Sequence, residues 1–73
     1  MGMKRERVKS SSIRSIGYDA ATQTLEIEFQ RRGTFQYFGV PEFAYRALML
    51  APSKGSYFND RIANRYKQSE VAR

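Results

Sequence analysis

The stretch Phe35-Gln36-Tyr37-Phe38-Gly39-Val40-Pro41-Glu42-Phe43-Ala44-Tyr45 decides the fold. Before Pro41 its side chains alternate as on a strand; after it the apolar positions recur at a period of about 3.6, as on a helix. The chain therefore passes from sheet to helix here, and each half can be read outward from this point.

Upstream, Thr24 to Gln30 alternates without a break, with Leu25, Ile27 and Phe29 on one face and Thr24, Glu26, Glu28 and Gln30 on the other. That pattern predicts a strand with one buried face and one solvated face. Arg31-Arg32-Gly33 supplies a tight turn, and Thr34 to Val40 returns with Phe35, Tyr37 and Gly39 on one side and Phe38 and Val40 on the other. Ser10 to Tyr18 is a further strand. Its Ile13 and Ile16 stand at an odd interval, which predicts a bulge or kink near Ser15 or Gly17. Asp19 to Gln23 joins it to the next strand, giving an antiparallel meander of three strands.

Downstream, Pro41 suits the first position of a helix, where its missing N–H is no loss, and Glu42 suits the positive end of the dipole. The first helix is predicted to run to about Leu50, stopped by Ala51-Pro52. Phe43, Ala44, Ala47, Leu48, Leu50 and Ala51 cover a wide arc, which implies burial on more than one side. Ser53 or Ser56 caps a second helix reaching to Tyr66 or Lys67, with Phe58, Ile62 and Tyr66 as its inward stripe. The expected class is α+β, a three-stranded meander with two short helices packed on one face. Residues 1–9 are expected to form a flexible basic arm, 10–67 the single domain and 68–73 a frayed tail.

A chain of 73 residues supports one small core, because domains near this size bury only about 60% of the surface their unfolded chains expose. Neither Cys nor His occurs. Disulfide scaffolds and Cys or His metal sites are thereby excluded, and the commonest general base and thiol nucleophile are missing. Glu26 and Glu28 share a strand face but read as a solvated surface, and adjacent Ser53 and Lys54 do not face each other as a catalytic pair would. We therefore expect no enzyme, no catalytic residue, no cofactor, no metal and no small-molecule substrate. No apolar run nears the roughly 18 residues of a membrane span, and the basic N-terminus leads into polar sequence, so a cytoplasmic protein is expected.

Thirteen Lys and Arg against seven Asp and Glu give a net charge of +6. Such a surplus favours association with polyanions. On the second helix Lys54, Tyr57, Arg61 and Arg65 recur at three- and four-residue spacing and so share a face, where cations can meet successive phosphates and a ring can stack on an unpaired base. The same cations also read as partners of a helix C-terminus. Ser53-Lys54-Gly55-Ser56 can hold a phosphate or simply cap the helix. Arg31, Arg32 and Lys9 complete the candidate nucleic-acid contacts.

These segments together resemble the KTSC domain family, a short module found at the C-terminus of some lysyl-tRNA synthetases and also as a stand-alone protein. The resemblance rests on Ser11-Ser12-Ile13 leading to Gly17-Tyr18-Asp19, on Leu25-Glu26-Ile27-Glu28-Phe29, on Phe35-Gln36-Tyr37 with Val40-Pro41, and on Ser53 to Asn59 with Ile62 and Tyr66. The family's Tyr-x-Tyr stands here as Phe35-Gln36-Tyr37, without the first hydroxyl. What the resemblance implies is an α+β domain with a nucleic-acid-binding role, RNA or DNA, and no catalytic residues. The alternative is a protein-interaction or homodimerisation module whose exposed rings, Tyr45, Tyr57 or Phe38, seal an interface.

Overall fold

A computed structural model describes residues 4–71. The elements in chain order are β1 (Arg5–Arg7), β2 (Ile13–Asp19), β3 (Thr24–Phe29), β4 (Gly33–Phe38), α1 (Glu42–Leu50), α2 (Lys54–Arg61) and β5 (Lys67–Glu70). The class is α+β, as expected, but the antiparallel sheet has five strands in the order β1-β2-β3-β4-β5, where three were expected. The two added strands come from the segment read as the arm and from the expected end of the second helix with the tail; the outer ends, residues 1–3 and 72–73, lie outside the described residues. Every residue of β1 and β5 is exposed. Backbone pairing, continued by the Val71 N–H on the Thr34 carbonyl at 2.9 Å, holds them in place.

The odd interval between Ile13 and Ile16 is absorbed by an irregularity between Ile13 and Ser15, so Ile13 faces Phe29 and Ile16 faces Ile27. Both isoleucines therefore reach the inner face, where they are fully buried. Leu25, Ile27, Phe29 and Tyr37 extend this face, and Ala44 and Leu48 of α1 close over it with Phe58 of α2 and Ile62. Tyr18 of β2 stacks on Tyr45 of α1 with ring centroids 4.7 Å apart, and its hydroxyl donates to the Val40 carbonyl. These contacts fix α1 to the sheet.

The structure corrects the reading in several places. Pro41 is the N-cap of α1 and not its first residue; its carbonyl accepts the Ala44 and Tyr45 N–H groups. Gly39 has φ +72°, a left-handed turn that ends β4 and swings Val40 into the core. Phe43 and Leu50, expected inside, are 74% and 84% exposed because α1 packs on one side only. The second helix stops at Arg61, where the Ile62 and Ala63 N–H groups both donate to the Phe58 carbonyl. The chain then leaves the helix to enter β5, so Arg65 stands in the turn beyond α2.

The second face of the sheet is not simply solvated. Arg5, Gly17, Glu26 and Gln36 lie in one row across four strands. Because Gly17 has no side chain, Arg5 reaches across it to Glu26 at 3.1 Å and to the Thr34 hydroxyl at 3.3 Å. Gln36 donates to the same carboxylate at 2.8 Å, and Glu26 is buried. Glu28 accepts from Ser15 at 2.8 Å.

Candidate nucleic-acid interface

Three depressions run around the first turns of α2. One, of about 340 Å³, lies between the β3–β4 turn and the helix; Phe29, Gln30, Arg31 and Arg32 border it on one side, Phe58 and Asn59 on the other. The second, of about 360 Å³, is bordered by Lys9, Ser10, Ser53 and Lys54. Both share Ser11, Ser12, Gly55 and Asn59 as walls. The third passes Tyr57 and Arg61 and shares Pro52, Ser53 and Ser56 with the second.

The walls are held by backbone bonds. The Gln30 N–H donates to the Ser12 carbonyl at 2.9 Å, tying the β3–β4 turn to the serine segment. Ser10 Oγ accepts the N–H groups of Ser12 and Ile13, each at 3.2 Å, and so fixes the entry to β2. Ser53 is the N-cap of α2, its hydroxyl accepting the Ser56 N–H at 3.3 Å. At Gly55 a β-carbon would fall 2.5 Å from Ser12 Oγ, so the helix lies close against the serine segment here and a side chain would require the Ser12 hydroxyl to rotate aside.

The expected site residues are brought together unequally. Arg31 and Arg32 border the first depression, Lys9 and Lys54 the second, Tyr57 and Arg61 the third. Arg65 is exposed but outside all three. Lys54 donates to the Ala51 carbonyl at 3.0 Å, satisfying the end of α1 while keeping further N–H groups. The Arg32 guanidinium stands 4.7 Å from the Phe29 ring centroid and 5.5 Å from that of Phe35, a cation–π arrangement that restrains it. Among the described residues the ion pairs are Arg5–Glu26 and Arg46–Glu42, and neither involves an expected site residue. Among the described residues Asp60 is the one carboxylate bordering the three depressions.

Sequence reasoning passed over Ser10 to Ser12, Gln30 and Asn59 as site residues. The available signal was that Ser11-Ser12-Ile13 and Ser53 to Asn59, two of the most distinctive segments of the chain, are far apart in sequence. In space they meet at Ser12 and Gly55.

A sequence profile of the KTSC domain matches residues 9–66. This chain belongs to the KTSC domain family. The crystal structure of a KTSC domain protein from Yersinia pestis superposes with a TM-score of 0.95 at 44% identity, covering 97% of this chain and 100% of the other. An uncharacterized protein of Stutzerimonas stutzeri is 46% identical over 57 residues, 78% of this chain and 80% of that protein. A lysine–tRNA ligase of Nostoc punctiforme is 38% identical over 64 residues, 88% of this chain but only 11% of the ligase. The KTSC domain thus occurs both as most of a small protein and as a small part of a large enzyme. No helix among the described residues is long and apolar enough to cross a membrane.

Proposed function

We propose that this KTSC domain is a cytoplasmic, non-catalytic module that binds RNA or DNA mainly through backbone phosphates, with little sequence selectivity. One observation carries the reading: Arg31, Arg32, Lys9, Lys54 and Arg61 border a continuous run of depressions that contains, among the described residues, a single carboxylate, Asp60. Cations placed along a groove meet successive phosphates and release the counterions condensed there. The net charge of +6 adds long-range attraction, and Arg65 adds to it from the turn beyond α2. The lysine–tRNA ligase relative, by name an enzyme of tRNA, lends support to RNA.

The test is titration of single- and double-stranded oligonucleotides at low and moderate salt. Affinity is expected to fall about tenfold or more between roughly 50 and 200 mM salt. Arg61→Ala with Arg65→Ala should weaken binding and leave the melting temperature within a few degrees. Salt-independent binding, or none at ~10⁻⁴ M, would overturn the proposal.

A second reading is self-association. Phe43 and Leu50, seven residues apart on α1, present an exposed apolar stripe with Ala47 between them. The rings first considered for this role are less available: Tyr45 is stacked on Tyr18, Tyr57 is half-buried and Phe38 is 40% exposed. Light scattering decides it: a dimer lost in Leu50→Lys supports this reading, and a monomer at all concentrations removes it.

A further inference from the structure

Resting on that reading, we infer that the 340 Å³ cleft between the β3–β4 turn and α2 seats one unpaired base of a single-stranded nucleic acid. Its two sides differ in kind from a patch that only neutralises phosphates. Phe29 and Phe58 form the floor, edge to face with centroids 5.2 Å apart and both nearly fully buried, so the floor is rigid and apolar. On the wall, Arg32 is restrained over Phe29. A guanidinium fixed in this way offers a planar cation on which an unstacked base can lie.

The rim carries the other half of base recognition. Asn59 is exposed at the edge of the cleft, and a carboxamide offers a donor and an acceptor side by side, as the edges of bases require. Gln30 borders the same cleft and donates to the Ile13 carbonyl at 3.4 Å, with its carbonyl oxygen not used in that bond. The volume lies at the lower end of the roughly 300–1,000 Å³ of small-molecule sites, right for one base and its sugar. A duplex keeps its bases stacked inside and cannot fill it. Beyond the shared wall of Ser12 and Gly55, the cleft bordered by Lys9 and Lys54 takes the adjoining phosphate.

The experiment measures fluorescence anisotropy of four labelled probes: a short single strand, its duplex, the same strand with abasic residues throughout, and a polyglutamate of equal charge. The single strand should bind about tenfold more tightly than its abasic counterpart. Asn59→Ala should remove several-fold of that advantage and leave abasic binding unchanged, and the charge-conserving Arg32→Lys should lower the ratio of base-bearing to abasic affinity several-fold. Equal affinity for base-bearing and abasic strands, or a duplex that binds as well as the single strand, overturns the base seat while the phosphate reading stands. Polyglutamate binding as tightly as the strand reassigns the surface to an acidic protein, and no binding of any probe removes both proposals.

Discussion

The guanidinium of Arg5 lies 3.1 Å from the carboxylate of Glu26, two strands away across the bare backbone of Gly17. The Glu26 side chain is only 11% exposed, so removing its cation leaves a charge poorly served by water. Arg5→Ala is expected to cost about 1–3 kcal/mol and to lower the melting temperature by several degrees. The Arg46–Glu42 pair on α1 is the control: its side chains are 71% and 51% exposed, and Arg46→Ala should change stability by less than about 0.5 kcal/mol.

The two sheet tyrosines should respond oppositely to loss of the hydroxyl. Tyr18 donates to the Val40 carbonyl, so Tyr18→Phe is expected to cost about 1 kcal/mol. The Tyr37 hydroxyl is buried with no partner among the described residues, so Tyr37→Phe should be neutral or stabilising in denaturant titrations.

Burial raises the pKa of both phenols; at Tyr18 the Glu42 and Asp19 carboxylates add to it, and at Tyr37 the Arg32 charge opposes it. Below pH about 10 both states of the protein are protonated and the full stability is present. Above it the unfolded chain loses its phenolic protons first, so stability falls as pH rises. Unfolding titrations between pH ~9 and ~11 should show this loss, and it should be shallower in Tyr37→Phe.

At Gly39 nothing lies within 4 Å of where a β-carbon would stand, so any penalty there belongs to the backbone at φ +72°. Gly39→Ala is expected to cost about 1–2 kcal/mol, and Gly39→Asn less, since asparagine tolerates the left-handed region. Chemical denaturation of the two variants would show the order.

Gly55 and Ser12 should be coupled. Alanine suits the helix better than glycine by up to about 1 kcal/mol, but here its β-carbon would fall 2.5 Å from Ser12 Oγ. Gly55→Ala alone should therefore gain less than this, by the cost of rotating the Ser12 hydroxyl aside. In a Ser12→Ala background, where the nearest atom is the β-carbon at 3.8 Å, the same change should stabilise. A double-mutant cycle measures the difference.

What was legible in the sequence follows from what side chains were asked to do. Ile13, Leu25, Ile27, Phe29 and Tyr37 had to face a core, so β2, β3 and β4 left an alternating trace. Lys67-Gln68-Ser69-Glu70 and Arg5-Glu6-Arg7 contribute backbone hydrogen bonds at sheet edges, which any polar residue can supply, and they left none. The end of α2 was hidden for the same reason, because the pull of β5 on the chain after Tyr66 is not written in helix spacing. At the candidate site the cations were visible as residue types. Their neighbours Ser12, Gln30 and Asn59 acquired meaning only when three distant segments met.

The sheet is zipped in chain order, and that has a bearing on kinetics. Three of its four pairings join strands separated by short links, so each can close soon after the last. Only β4 and β5 are separated by both helices, so that seam closes the longest loop and is expected to form last. A receding β5 would bare the edge of β4 beside Phe35 and Tyr37 while the rest of the sheet stays intact. The last seam of the sheet is thus the one that joins the two ends of the helical half, and it is the point at which an incompletely folded chain would still show an open strand edge.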